Sequence, residues 1–153
     1  MLIGQHTQNG YVCDNMDDAI ALFRERGLER EPIVIPVEQT VQTPNGPKFM
    51  KMLTASFWTN GVQFELIEPI VDETNIYSNT QSNDGPMRFH HICMKVDDWD
   101  DLLDRLSRQK FPIAMEGGDD QLRFLYLDAR EAFGHYLEYI WTTDEIWEQI
   151  KAM

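Results

Sequence analysis

Four stretches of this 153-residue chain set a group capable of metal or proton chemistry inside an otherwise apolar run. They are Gln8 in QNGYVC, Glu65 in VQFELIEP, His91 in FHHICMKVDD and Glu138 in GHYLEYIW. One imidazole, two carboxylates and one amide oxygen form a hard-to-borderline N/O set. It suits a six-coordinate divalent Zn, Ni, Co, Mn or Fe ion with water in the remaining places. Two carboxylates also neutralise such an ion; without one they repel, and one of them is pushed toward its protonated form. The chemistry therefore depends on a fold that gathers four positions lying far apart in the chain.

An internal repeat supplies that possibility. Sliding the sequence against itself by 83 positions lays QNGYVCDNMDDAIALF (8–23) on HICMKVDDWDDLLDRL (91–106). Gln8 then falls on His91, Asp14 on Asp97, Asp17 on Asp100, Asp18 on Asp101 and Phe23 on Leu106. Such self-similarity says more about architecture than any local pattern. Each copy reads as a short strand, an acidic helix start and a helix, because Asp caps helices well and first-turn carboxylates suit the helix dipole. The copies also end alike. MKMLTASFWTNGVQFELIEP predicts strand, an Asn-Gly turn at Thr59-Asn60-Gly61, and strand. RFLYLDAREAFGHYLEYI predicts the same with a longer connection from Asp128 to Gly134. Between the copies, DETNIYSNTQSNDGP reads as an exposed linker, and TTDEIWEQIKAM as a short helix starting at Thr142 or Thr143. The divisions are 1–71 for the first module, 72–87 for the linker, 88–145 for the second module and 146–153 for the terminal helix, within one structural domain.

Strand parity sorts the candidates, since alternate side chains face opposite sides of a sheet. Ile92, Met94 and Val96 form a set that packs under a helix, with His91, Cys93 and Lys95 opposite; His90 falls on the helix side as a polar edge residue. Phe64 and Leu66 pack, leaving Gln63, Glu65 and Ile67 opposite. Leu137, Tyr139 and Trp141 pack, leaving Tyr136, Glu138 and Ile140. A carboxylate therefore recurs at the same place in both copies. His6 precedes Gln8 by two and is an alternative to it; Cys93 shares the face of His91, and Trp58, Tyr126 and Tyr136 are candidate pocket walls.

With 26 acidic against 13 basic residues and a net charge of -13, the composition argues against nucleic acid and anionic membranes as standing partners, because both are polyanions. No window of about 18 apolar residues exists, and MLIGQHTQNG has neither a basic start nor an apolar core of a signal peptide. Two cysteines, Cys13 and Cys93, fit a reducing cytoplasm.

The segments QNGYVCDNMDDAI, VQFELIEP, FHHICMKVDD and GHYLEYI together resemble the vicinal oxygen chelate superfamily, the group of glyoxalases, bleomycin-resistance proteins and extradiol dioxygenases. The resemblance implies an α+β fold: two tandem βαβββ modules forming a cup-shaped mixed sheet with helices outside, around a divalent metal. It implies Gln8, Glu65, His91 and Glu138 as metal ligands, a set similar to those of glyoxalase I and methylmalonyl-CoA epimerase, and a homodimer. The function it implies is a metal-dependent lyase, isomerase or epimerase acting on a small enolisable carbonyl compound, with Glu138 or Glu65 moving the proton. Two rivals stand beside it: a non-catalytic, antibiotic-sequestering type of binding protein, and an Fe(II) extradiol dioxygenase recruiting His6 or His90. Where many relatives carry a Gly-Pro-aromatic segment after the first helix, this chain has GLEREPIVIP followed by PVEQTVQTPNGPKF, so the pocket walls are expected to differ.

Overall fold

The protein was analysed as a computed structural model that describes residues 3–28, 30–78 and 85–153. Its elements run β1 (Gln5–Cys13), α1 (Met16–Arg24), β2 (Val34–Thr43), β3 (Gly46–Thr59), β4 (Val62–Asp72), then β5 (Met87–Lys95), α2 (Trp99–Leu106), β6 (Ile113–Gly118), β7 (Leu122–Leu127), α3 (Arg130–Phe133), β8 (Tyr136–Thr142) and α4 (Asp144–Lys151). The strands close in the order β1-β4-β3-β2-β6-β7-β8-β5, so the expected cup is a mixed sheet curved into a barrel.

The 83-residue repeat is visible in the caps. Asn15 accepts a hydrogen bond from the Asp18 amide at the start of α1, and Asp98, 83 positions on, accepts one from the Asp101 amide at the start of α2. The acidic runs therefore start helices, as their composition predicts. At the β3–β4 hairpin Asn60 and Gly61 both have positive φ (51° and 81°), the conformation that an Asn-Gly turn adopts at low cost.

Register carries the symmetry into the sheet. β1 and β4 run parallel with Gly10 opposite Glu65; β5 and β8 run parallel with Cys93 opposite Glu138, the equivalent pair. Where the halves meet, β1 and β5 are antiparallel, with Gln8 opposite Cys93 and Gly10 opposite His91, pairs that the repeat exchanges. This brings all four candidates to neighbouring strands.

Helices α1 and α2 each cover one half of the barrel from outside. Met16, Ala19 and Ile20 of α1 pack on Cys13, Ala55, Phe57 and Leu66; Leu102 and Leu106 of α2 pack on Met94, Val96, Leu125, Leu127, Leu137 and Tyr139. A third cluster fills one end of the barrel interior with Val12, Val41, Met50, Met52, Ile67, Met115, Phe124, Tyr126 and Tyr136. Ile76 and Tyr77 join that interior cluster, which corrects the expectation of a wholly exposed linker. Asp72 holds this part of the chain, accepting hydrogen bonds from the amides of Thr74, Tyr77 and Ser78. The rest of that segment, Asn79 to Asp84, lies outside the described residues. The terminal helix begins at Asp144, capped by Thr143, whose hydroxyl accepts from the Ile146 amide. Among the described residues no helix is long and apolar enough to cross a membrane.

Candidate functional site

The end of the barrel interior opposite the apolar cluster is an open cavity of about 450 Å³. One of its ends is polar, formed by Thr7, Gln8, Gln63, Glu65, Cys93 and Glu138. The walls are mostly apolar, from Ile33, Ile35, Val37, Leu122, Ile140 and, on α4, Trp147 and Ile150. The segments singled out as unlike those of relatives do form part of this wall.

His91 is fully buried beside the two carboxylates, its Nε2 3.1 Å from Glu138 Oε2 and 3.6 Å from Glu65 Oε2. Glu138 and Glu65 side chains keep 10% and 21% exposure to the cavity. Among the described residues His91 Nε2 nevertheless finds no hydrogen-bond partner, an exception to the rule that buried polar atoms are paired. The Gln8 amide stands in the same polar end and donates from Nε2 to Gln63 Oε1 at 3.0 Å. All four sequence candidates therefore meet. Among the described residues no three His, Cys, Asp or Glu side chains form a finished metal cage. The imidazole and carboxylates contact each other directly instead.

Burial sets the protonation of Glu65. Glu65 is pushed up to about 7, chiefly by desolvation, with the His91 ring acting against the rise and the Glu138 charge adding to it. Cys93, beside Glu138, is raised well above the usual thiol range by burial and then by the Glu138 charge, so it stays a neutral thiol. Burial and the neighbouring His91 press His90 well below the usual imidazole range, so it stays neutral as well.

His90 does not face the helix side as parity predicts. Between the pairs Gly10–His91 and Tyr11–Phe89 the register slips by one, which makes His90 the extra residue of a β-bulge. A bulge turns two consecutive side chains toward one side of the sheet. His90 thus lies buried next to His91, their Nδ1 atoms 2.9 Å apart, stacked on Tyr77 and close to Tyr136. The equivalent slip occurs on β1, where Thr7 is the extra residue and joins Gln8 in lining the cavity. No sequence signal marks either bulge.

The remaining candidates separate cleanly. His6 is exposed and bonded through Nε2 to the Gln8 carbonyl and to Asn9, away from the cavity. His135, the fourth histidine of the chain, lies outside, against Phe89 and Phe133. Tyr126 and Tyr136 fill the apolar end of the barrel, Tyr126 edge-on to the His91 ring, rather than lining the cavity. Trp58 donates its indole N–H to the Ile150 carbonyl and packs edge-on against Trp147, so it fixes α4 over the barrel mouth instead of lining the cavity. Gln63 was visible to parity as a neighbour of Glu65 but had no signal of its own. Gly10 was equally silent, yet a Cβ there would sit 1.9 Å from the His91 ring, so only glycine leaves room for it.

Two equivalent halves, each with its helix outside and its first and last strands meeting at a shared interior site, define the class as a paired-module barrel. The family model described as the Glyoxalase/Bleomycin resistance protein/Dioxygenase superfamily matches residues 7–126, and the chain belongs to that superfamily. Its fold matches a Streptomyces coelicolor methylmalonyl-CoA epimerase in complex with 2-nitronate-propionyl-CoA, at 15% identity over 93% of this chain and 99% of that one, with a TM-score of 0.62. A methylmalonyl-CoA epimerase in complex with methylmalonyl-CoA and NH4+ matches at 16% identity, 94% and 97% coverage and TM-score 0.62. The enzyme from Mycobacterium tuberculosis matches at 16%, 97% of both chains and 0.58. No curated protein matches the sequence.

Proposed function

We propose that this chain is a divalent-metal-dependent, glyoxalase-like isomerase, epimerase or lyase that moves a proton at the carbon next to a carbonyl in a small substrate. The observation that carries this reading is His91 Nε2, fully buried, without a hydrogen-bond partner among the described residues, and set beside two carboxylate oxygens. That arrangement offers the donors a divalent ion takes and the negative charge it needs. His91, Glu65, Glu138 and Gln8 would hold the ion. Bound there, it supplies positive charge that polarises the substrate carbonyl and stabilises the negative charge developing on it.

The chain's own groups do the rest. The apolar walls hold the substrate's hydrocarbon part and exclude water, while Thr7, Gln8 and Gln63 offer hydrogen bonds at the polar end. Glu65 and Glu138 lie on equivalent strands of the two halves. One carboxylate removes the α-proton, and a proton returns from the other for inversion, or from the same one to the neighbouring carbon for isomerisation. Glu65, whose side chain keeps 21% exposure against 10% for Glu138, reaches the cavity more freely, which suits it to one of these steps. Epimerases among the fold relatives support a reaction of this type.

Metal analysis of protein purified without chelator tests the proposal, together with deuterium exchange at the α-carbon of a panel of enolisable carbonyl compounds. The expected result is stoichiometric Zn, Ni, Co or Mn and exchange that chelation abolishes. Metal-free protein that binds aromatic ligands without exchanging any would replace this reading with a sequestering protein. Iron with oxygen uptake would replace it with a dioxygenase, for which neither spare histidine is placed: His6 is outside the cavity, and both nitrogens of His90 are engaged.

A further inference from the structure

The groups behind His91 fix where its proton sits. His90 Nε2 lies 3.2 Å from the Ile76 carbonyl oxygen, and His90 Nδ1 lies 2.9 Å from His91 Nδ1. A carbonyl oxygen only accepts, so the Nε2 of His90 carries hydrogen and donates to it. Singly protonated, His90 then presents a lone pair at Nδ1, and the hydrogen in the second contact must belong to His91 Nδ1. That leaves the lone pair of neutral His91 on Nε2, the atom beside Glu65 and Glu138. We propose that His90 is a positioning residue for the site: a relay from the Ile76 carbonyl through His90 to His91 holds His91 in the tautomer that offers Nε2 to a cation.

The surroundings hold this relay rigid. His90 is 2% exposed, stacked on Tyr77 with ring centroids 4.8 Å apart and packed against Tyr136 at 4.9 Å, with the His91 ring perpendicular to its own. Its origin is the chain between the two modules, where the Asp72 turn positions Ile76 and Tyr77. The connection is thus a part of the site rather than a tether. Groups that orient a ligand histidine in this way are commonly carboxylates or backbone carbonyls. Here a second imidazole transmits a backbone carbonyl's preference across one more bond. The relay rests on the reading of His91 as a cation ligand for its purpose, but not for its geometry.

Nitrogen NMR of histidine-labelled, metal-free wild-type protein reads the relay directly. The expected result is a proton on Nε2 of His90 and on Nδ1 of His91; a proton on His90 Nδ1 overturns the inference. His90→Phe keeps a packed ring but removes the acceptor, and His90→Asn restores an acceptor and a donor. The Phe variant should bind Zn at least ~10-fold more weakly than wild type, and the Asn variant should recover part of the loss. Equal losses in both variants, with wild-type tautomers at His91, would reduce His90 to a packing role and overturn the proposal. If His90→Phe does not fold, the wild-type spectrum and His90→Asn still decide. The predicted proton placement in a protein that binds no divalent ion would overturn the metal-centre reading while leaving the relay standing.

Discussion

β1 and β5 occupy equivalent places in the two halves, and each is bulged one residue before its candidate ligand, at Thr7 and at His90. The repeat exchanges these two residues as it exchanges Gln8 and His91. What differs is the support. In the second half the bulged residue is an imidazole that bonds the candidate ligand, which is wholly buried, and the partner Glu138 lies 3.1 Å away with 10% exposure. In the first half the Thr7 hydroxyl bonds the Cys93 carbonyl instead, the Gln8 amide donates to Gln63, and Glu65 stands at 3.6 Å from His91 Nε2 with 21% exposure. The same scaffold thus yields a rigid half and an adjustable half. Under the proposed function, the rigid half would suit a fixed ligand set, and the adjustable half a group that changes protonation or coordination.

The most severe way to break the rigid half is through Gly10, where any side chain meets the His91 ring across the β1–β5 pair. Gly10→Val should cost about 1–3 kcal/mol in stability, the usual range for overpacking a dense interior. It should also abolish metal uptake, because His91 can no longer occupy its place beside the carboxylates. Urea unfolding and metal stoichiometry measure both, and a Gly10→Val protein that loads metal normally would show that His91 is not held against Gly10.

Next in size is the contrast between the carboxylates. Glu138→Gln should lower α-proton exchange by roughly 10³-fold and Glu65→Gln by about 10²-fold, within the range for loss of a general acid or base. Metal affinity should fall further in the Glu138 variant, the one whose side chain is closer to His91. Equal losses in the two variants would erase the distinction between the halves.

How far the sequence reached follows the same division. The repeat, the caps at Asn15 and Asp98, the Asn60-Gly61 turn and the inward parity of Glu65 and Glu138 were all legible, because each depends on local pattern or on simple alternation. The bulges were not legible. Alternation holds only while pairing is regular, and one extra residue resets it, so strict alternation puts His90 on the helix side and gives no sign of Thr7. Gly10 and the roles of Ile76 and Tyr77 were invisible for a related reason. Their significance comes from what lies across the sheet or from another part of the chain, which no local window contains.

A smaller effect tests Glu65 through pH. Folded, metal-free Glu65 titrates near 7 against 4.5 for the ordinary group, so between those values the folded state holds a proton that the unfolded state has released. Stability from this group is accordingly full below about pH 4.5 and is lost as pH rises toward 7, by about 3 kcal/mol at most. Carboxylates held low by arginines, such as Asp128 beside Arg130, act in the opposite direction at lower pH. The measurement is therefore the difference between wild type and Glu65→Gln in urea midpoints from pH 4.5 to 7.5. Saturating Zn should remove that difference by displacing the proton. A pH-independent difference would mean that Glu65 is not strained by its site.

The smallest effect is expected at Gln8, and it tests whether the first half is adjustable or merely weak. Its amide group donates to Gln63, which is itself buried, so Gln8→Ala removes one neutral donor and leaves Gln63 Oε1 without that partner. Metal affinity should drop by no more than about 10-fold, the lower edge of what supporting groups around a metal contribute. Gln8→His is the sharper variant, because it gives both halves the same residue type at equivalent positions on β1 and β5. A second imidazole is a better ligand for Zn or Ni than an amide oxygen, so affinity should rise if β1 tolerates the exchange. If Gln8→Ala instead weakens binding as much as His91→Ala, both halves hold the ion equally. The difference in burial and hydrogen bonding between β1 and β5 would then have no bearing on the chemistry.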